Sequence, residues 1–196
     1  KGHGTHVAGL VAANPLPTGD GIGMRGTCPE CSLSIMKIDR GELSMDRAGQ
    51  LVAELVSGGT QVINLSFGYP ANDTPSRPPG FCADPANAND VMCLALTFAK
   101  NRGVSVVAAS GNNRAALDFP ANQPDVISVG GTELDSSGGT VPWTTGYDDE
   151  GNPVTGGNPC PQGGIGTAQR GSNCSDPADV AAGRYQFLAP ARDVLS

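Results

Sequence analysis

The sequence predicts an α/β fold, built on a parallel, doubly wound sheet with helices on both faces. Short, almost continuously apolar segments alternate with segments whose apolar residues recur at a helical period. Strand, helix, strand order at this spacing is typical of parallel strands joined by right-handed crossovers. The continuous apolar character of the strands is expected where helices cover both faces of a sheet.

The chain begins with a predicted short, buried helix. Its apolar residues are Val7, Ala8, Leu10, Val11, Ala12 and Ala13. The compact apolar run at residues 33–38 predicts the first strand. Ser44 then caps a helix that ends at Gly58 and Gly59, because serine is a favoured N-cap and glycine a favoured stop. The apolar positions of this helix follow the 3.6-residue period at Ala48, Leu51, Val52, Leu55 and Val56.

Further strands and a helix complete the predicted sheet. Apolar runs predict strands at residues 61–67, 104–109 and 126–129. Between the first two of these strands, residues 89–102 have the period of a helix, and Gly103 ends it. The predicted apolar face of this helix consists of Val91, Leu94, Ala95, Phe98 and Ala99.

Residues 132–184 lack any such periodicity and are rich in Gly, Pro, Asn and Asp. A run of this length without regular structure is uncommon in a compact domain, so we interpret it as a loop-rich insertion. The apolar character resumes at residues 185–191. The sequence therefore predicts one partial domain over residues 1–196, interrupted by this insertion at about residues 132–184.

Composition excludes several classes of partner. The 196 residues, 38% of them hydrophobic, suffice for one sizeable core, although 28 glycines and 16 prolines make the chain rich in loops. A net charge of −7 argues against binding to nucleic acid or to an anionic membrane. No apolar run approaches the length of a membrane span.

Six cysteines fall into three couples that are each local in sequence: Cys28 and Cys31, Cys82 and Cys93, and Cys160 and Cys174. This pattern suits three short-loop disulfides in a secreted or extracytoplasmic protein. Zinc is the alternative at Cys28-Pro29-Glu30-Cys31. A structural zinc site needs four ligands, however, and the sequence has no second CxxC, so disulfides are favoured.

The most specific motif is Gly-His-Gly-Thr-His-Val-Ala-Gly at residues 2–9. His3 and His6 are the only two histidines of the chain, and residues three apart are neighbours on one face of a helix. Taken alone, the motif fits a catalytic base or a pair of structural histidines at a helix end. A zinc hydrolase fits less well, because its histidines are four apart and a glutamate adjoins them.

Three segments together resemble the subtilisin-like serine proteases, the subtilases of peptidase family S8. They are residues 2–9, then Val-Ile-Asn-Leu-Ser-Phe-Gly at 62–68, then Val-Val-Ala-Ala-Ser-Gly-Asn at 106–112. Phe-Pro-Ala at 119–121, Val-Ile-Ser-Val-Gly at 126–130 and Phe-Leu-Ala-Pro at 187–190 extend the match. The resemblance spans nearly the whole chain apart from the insertion and implies a subtilisin-like fold.

The resemblance implies peptide-bond hydrolysis by a Ser/His/Asp triad. His3 would be the general base, His6 a structural companion, and the Asn112 side-chain amide a donor to the oxyanion. The alternative for Asn112 is an ordinary turn residue after a strand. Polypeptides are the implied substrates.

The resemblance also assigns a substrate-binding region. An extended substrate would add as a strand beside Ser66, Phe67 and Gly68. The walls of the pocket for the side chain before the scissile bond would come from Ala109, Ser110, Gly111, Phe119 and Pro120. Asp118 precedes one wall and would favour a basic side chain if it pointed inward, although a solvated loop carboxylate is the commoner case.

A calcium-binding loop is implied at residues 19–24, where Asp20, Ile22 and Met24 are the candidate ligands. A calcium ion needs six or more oxygen ligands, of which this loop supplies only some.

The sequence departs from the family pattern at two triad positions. The family order is Asp, His, Ser. No DTG-like aspartate precedes His3, no GTSMA-like serine follows the Ala-Pro segment, and Ser196 lacks that context. We therefore expect an internal fragment of the catalytic domain, truncated at both ends, inactive alone and monomeric when complete. The alternative is a non-catalytic subtilase-fold domain that binds peptides or serves as a scaffold.

Overall fold

The computed structural model describes residues 2–14, 25–38, 44–69, 76–111, 117–134, 140–142, 146–147, 153–154 and 186–190. The chain divides into two compact units, residues 1–43 with 195–196, and residues 44–194.

Helix α1, His3–Ala12, lies in the first unit and starts after Gly2, whose φ of 108° is in the left-handed region. A helix is confirmed at the predicted place, but none of its residues is buried, so the predicted burial is wrong. The apolar period specifies a helix face. It does not specify which segment covers that face, and coverage decides burial.

The carbonyl groups at the end of α1 are satisfied by a later segment. The amides of residues 26–28 donate in turn to the carbonyl oxygens of Ala13, Leu10 and Val11, at 2.9, 3.0 and 2.8 Å. Gly26 is required there, because a Cβ at this position would lie 2.5 Å from the Ala13 backbone nitrogen.

The strand predicted at residues 33–38 is not formed. This segment is irregular, and Leu33, Ile35 and Met36 are 45%, 69% and 41% exposed. A strand takes its hydrogen bonds from a neighbouring strand, and an apolar run alone does not name that neighbour. The prediction was wrong for this reason.

The second unit contains the sheets. Its strands are β1 (Val62–Leu65), β2 (Ser105–Ala109), β3 (Val126–Leu134), β4 (Thr140–Pro142), β5 (Gly146–Tyr147), β6 (Pro153–Val154) and β7 (Gln186–Pro190). Strands β1, β2, β3 and β7 pair in parallel, in that spatial order. The parallel strands predicted at residues 61–67, 104–109 and 126–129 are confirmed, and β3 is longer than the sequence indicated.

The core lies on one face of these strands. Ile63 and Leu65 pair in register with Val106 and Ala108, and all four side chains are at most 5% exposed. Alternate residues of a strand point to opposite faces, so these four share one face. Val62, on the other face, is 61% exposed.

Two helices complete this core. Helix α2, Met45–Ser57, begins as predicted at Ser44, whose Oγ accepts a hydrogen bond from the Arg47 amide at 3.1 Å. Helix α3, Val91–Asn101, packs along α2 and contacts β2. The burial pattern of α2 follows its predicted apolar face. The face predicted for α3 is wrong in part, because Leu94 is 53% exposed while Met92, Cys93 and Leu96 are buried.

The predicted insertion contains regular structure in the part that is described. The end of β3 forms an antiparallel pair with β4, and β5 pairs with β6 in a separate two-stranded sheet. Strands of two or three residues offer too few positions for an alternating pattern to be recognised in the sequence. Among the described helices, none is long and apolar enough to cross a membrane.

The close approach of α2 and α3 depends on Gly49. A Cβ at this position would lie 2.8 Å from the backbone N and Cα of Met92, too near for an ordinary contact. The two helices would have to move apart to accommodate any side chain.

We therefore expect Gly49→Ala to lower the free energy of unfolding by about 1–3 kcal/mol. This overpacking cost outweighs the roughly 1 kcal/mol that alanine gains over glycine in a helix interior. Urea unfolding followed by circular dichroism measures the change. Ser57→Ala, at an exposed position of the same helix, is the matched control and should stay within about 0.5 kcal/mol. A midpoint for Gly49→Ala equal to or above that of the parent would contradict this packing.

Candidate functional site

The candidate substrate-binding residues gather at one edge of the sheet. Residues 66–68 follow β1, and Ser110 and Gly111 follow β2. The two strands are adjacent and parallel, so their carboxyl ends meet at this edge. Ligand sites in parallel α/β sheets lie at such an edge.

A third segment, residues 117–123, joins the ends of the two strands. Its Asp118 amide donates to the Ser110 carbonyl oxygen at 2.9 Å. Its Phe119 exchanges two backbone hydrogen bonds with Tyr69, of 2.8 and 2.9 Å. The structure therefore brings residues 66–68, the predicted substrate-binding segment, next to residues 117–123. We call residues 117–123 the wall, because they contain Phe119 and Pro120 of the predicted pocket wall.

Gly68 and Asp118 are in close contact at this junction. A Cβ on Gly68 would lie 2.9 Å from the Asp118 Cβ and 3.3 Å from the Phe119 carbonyl oxygen. Asp118 is only 6% exposed, so the interpretation as a solvated loop carboxylate is wrong. Gly68, which is distant in sequence, packs against Asp118, and only the tertiary fold supplies this contact.

The Phe119 side chain is part of the core. It is fully buried and makes an edge-to-face contact with Phe81, with ring centroids 6.1 Å apart. Pro120, which follows it through a cis peptide bond, is buried as well. This wall therefore presents its backbone, and not the Phe119 ring, to the edge of the sheet.

A polar cluster that the sequence did not indicate anchors this wall. The Asn122 side chain donates to the Arg77 carbonyl at 2.9 Å, and the Gln123 amide group donates to the Pro78 carbonyl at 3.2 Å. Gln123 Oε1 also accepts the Cys82 amide at 2.9 Å. Asn122 and Gln123 are 0% and 1% exposed. The sequence alone does not indicate that polar residues of this kind are buried and hydrogen-bonded.

A partly buried ion pair completes the cluster. The Arg77 guanidinium bonds Asp90 Oδ2 at 2.9 Å, and the two side chains are 13% and 11% exposed. The same guanidinium lies 5.7 Å from the Phe81 ring centroid and 5.3 Å from that of Phe119. Asp90 Oδ1 caps α3 by accepting the Met92 and Cys93 amides. The aspartate before a periodic helix was the one sequence signal that could have located this cluster.

The two histidines lie in the first unit. His3 is the first residue of α1 and is exposed, whereas His6 is half-buried and its Nε2 is buried without a hydrogen-bond partner. Asn112, the candidate oxyanion donor, lies outside the described residues. So do the candidate calcium ligands Asp20, Ile22 and Met24, and calcium stays a prediction.

Two of the cysteine couples are bonded in the structure, Cys28 with Cys31 and Cys82 with Cys93. Cys160 and Cys174 lie outside the described residues. Within the described ranges, no group of three or more His, Cys, Asp or Glu side chains is placed to hold a metal ion. The bonded sulfurs of Cys28 and Cys31 leave no thiolate for the zinc alternative.

Known proteins are similar to this chain in sequence and in fold. The model of the subtilase family, peptidase S8, matches residues 1–186. Subtilisin Savinase of Lederbergia lenta is 33% identical over 140 residues, covering 70% of this chain and 45% of that protein. A C5a peptidase of Streptococcus pyogenes is 33% identical over 136 residues, covering 65% of this chain and 11% of that protein. The chain thus spans less than half the length of these relatives.

Two solved structures are similar over the whole chain. The self-cleaved protease domain of PatA aligns with a TM-score of 0.61 at 24% identity, covering 100% of this chain and 56% of that one. The prenylagaramide maturation protease PagA aligns with a TM-score of 0.59 at 22% identity, covering 99% and 53%. These likenesses confirm the predicted α/β fold. The match of the subtilase model over residues 1–186 shows that this chain belongs to the subtilase family.

Proposed function

We propose that this chain is part of a serine endopeptidase that hydrolyses peptide bonds. The observation that carries the proposal is the junction of residues 66–68 with Asp118 and Phe119 at the carboxyl edge of a parallel sheet. Membership of the subtilase family supplies the chemistry. The chain would provide a base, an oxyanion donor and the substrate-binding segments of that enzyme.

His3 is the proposed general base. In this chemistry an imidazole removes the proton from a serine hydroxyl as the hydroxyl attacks the carbonyl carbon, and returns it to the leaving amine. The exposed position of His3 at the start of α1 supports the proposal, because a base must be reachable by substrate. His6, half-buried on the same helix, is proposed to be structural.

Asn112 is the proposed oxyanion donor. It lies two residues after Ser110 in the sequence. The Ser110 amide donates a hydrogen bond to the Val129 carbonyl oxygen at 2.9 Å, which fixes the end of β2. Removal of such an asparagine amide slows turnover about 100- to 1000-fold in subtilisin itself, the family from which that magnitude comes.

An extended substrate is proposed to add alongside residues 66–68. These residues follow the last register pair of β1, Leu65 with Ala108, and are half-buried. Strand addition draws its affinity from main-chain hydrogen bonds and its specificity from pockets for alternate side chains. Asp118, beside Gly68, is proposed to make the pocket before the scissile bond select a basic side chain.

Export to an oxidising compartment is proposed from the cysteines. Disulfides persist in secreted proteins and are rare in the reducing cytosol. The two disulfides of the described residues and the acidic net charge of −7 are compatible with an extracytoplasmic protease.

We expect His3→Ala to abolish turnover in a protein that joins this chain to the aspartate and serine segments of the family. The loss of kcat should approach about 10⁶-fold, the value that subtilisin, a member of this family, gives for its triad histidine. KM for a peptide substrate should change little. His6→Ala is the matched control and should act mainly through stability. Comparable kcat losses in both variants, at equal folded fractions, would remove His3 from the proposed role.

We expect Asp118→Asn to reduce the preference for arginine before the scissile bond. A hydrogen bond to a charged group contributes about 1.5–3 kcal/mol, so kcat/KM for Arg peptides relative to Leu and Phe peptides should fall roughly 10- to 100-fold. Asp125→Asn removes the same charge at an exposed site and is the control. If the parent enzyme shows no preference for Arg peptides, the proposed role of Asp118 in selecting a basic side chain is contradicted.

The 196-residue chain alone should not react with a fluorophosphonate probe. The probe labels a serine only when a nearby base activates it, and the sequence has no serine in the GTSMA-like context that the family uses. Intact-mass spectrometry after incubation measures the adduct. A stoichiometric serine adduct that forms on the folded chain, but not on chain unfolded in urea before the probe is added, would show that a nucleophile is present here.

A further inference from the structure

The two disulfides of the described residues differ in exposure. Cys82–Cys93 joins the short 3-10 helix Phe81–Ala83 to α3, with Cys82 half-buried and Cys93 only 3% exposed. Cys28–Cys31 spans three positions of sequence, and Cys31 and its neighbour Glu30 are both exposed. Thiol–disulfide exchange starts with attack of a thiolate on one sulfur, so exposure decides which disulfide can react.

The shorter disulfide also constrains less of the unfolded chain. In the chain-entropy account, the stabilisation from a disulfide grows with the length of the loop that it closes. Cys28–Cys31 closes a single turn, in which the Cys31 amide already donates to the Cys28 carbonyl oxygen at 3.0 Å. Cys82–Cys93 spans eleven positions and connects half-buried Cys82 to Cys93 in the core of the second unit. The first disulfide is therefore the easier one to reduce without unfolding the protein.

The exposed disulfide is directly connected to the end of α1. The Cys28 amide donates to the Val11 carbonyl oxygen at 2.8 Å, and the Thr27 amide to that of Leu10 at 3.0 Å. The Thr27 hydroxyl lies 3.4 Å from both carbonyl oxygens. The segment held by the disulfide thus satisfies the last carbonyl groups of the helix that begins at His3.

We propose that Cys28–Cys31 is a reversible redox site for a dithiol reductant, and that its reduction loosens the C-terminal end of α1. This inference is independent of the proposed protease function. The CxxC spacing is that of dithiol–disulfide exchange sites, and exposure of Cys31 gives the reductant its point of attack.

The exchange is balanced in two steps. A thiolate of the reductant attacks the Cys31 sulfur, forms a mixed disulfide and releases Cys28 as a thiolate. The second thiol of the reductant, as its thiolate, then attacks its partner sulfur in the mixed disulfide and releases Cys31 as a thiolate. Two electrons pass from the dithiol to the protein disulfide, and the dithiol becomes a disulfide. Protons from solvent complete the two protein thiols.

The test titrates the 196-residue chain with dithiothreitol under native conditions. Free thiols are blocked with iodoacetamide, and peptide mass spectrometry separates the two disulfides. We expect Cys28–Cys31 to open at a dithiothreitol concentration at least about tenfold below that for Cys82–Cys93, and to close again on oxidation. In urea the two should open together. The proposal would be overturned if both disulfides opened over the same range of dithiothreitol concentration under native conditions. It would also be overturned if Cys28–Cys31 stayed closed until the chain unfolded.

Hydrogen exchange tests the link to α1. After selective reduction, the amides of residues 26–28 should exchange about tenfold faster, because local opening of this segment exposes them. Amides of α3 should keep their rates. The double variant Cys28→Ser with Cys31→Ser should show the same faster exchange without reductant. Unchanged rates at residues 26–28 in the reduced parent chain would refute the loosening of α1, whatever the variant does.

Discussion

The pair of backbone hydrogen bonds between Tyr69 and Phe119 is the interaction on which the candidate site depends. It ties the segment after β1 to the segment that follows residues 112–116 in the chain. The Asp118 amide adds a third bond, to the carbonyl of Ser110 after β2. Backbone bonds of this kind use main-chain groups that every residue except proline carries, so they fix the position of the wall largely independently of the side chains. The side chains at the junction then decide what the site can recognise.

These backbone bonds are held in place by a buried polar cluster. Arg77 lies between two aromatic rings and bonds Asp90, which also caps α3. Charges with little access to water are costly unless paired, and removal of one partner leaves the other uncompensated. The cluster therefore tolerates few changes, and its stability depends on several elements being in place at once. Through Asn122 and Gln123, the position of the wall is linked to the loop closed by Cys82–Cys93.

Local signals predicted the helices and most of the sheet. Ser44 marked the start of α2 because a hydroxyl that accepts an amide bond acts within one turn of the chain. The strands β1 and β2 were found because both are apolar and each is joined to a helix of clear period. Residues 33–38 have the same apolar character but form no strand, since a strand also requires a partner that its own sequence does not specify.

The exposure of site residues could not be predicted in this way. Asp118 lies in a segment whose composition is typical of a surface loop, yet it packs against Gly68 and is only 6% exposed. Asn122 and Gln123 look equally like loop residues, and their roles come from hydrogen bonds to a segment distant in sequence. Motifs indicated the candidate substrate-binding region, whereas its electrostatic character depends on contacts that no motif records.

Gly68 shows why the motif at the end of β1 ends in glycine. It is not among the glycines with a left-handed backbone, so conformational freedom does not explain it. The reason is the approach of Asp118, whose Cβ would lie 2.9 Å from any Cβ at position 68. A larger residue at position 68 would have to displace the wall, and the wall is fixed by the Tyr69–Phe119 bonds and the cluster behind it. The edge that would receive a substrate and the carboxylate that would select its side chain are thus one packed unit, and a change in either alters the other.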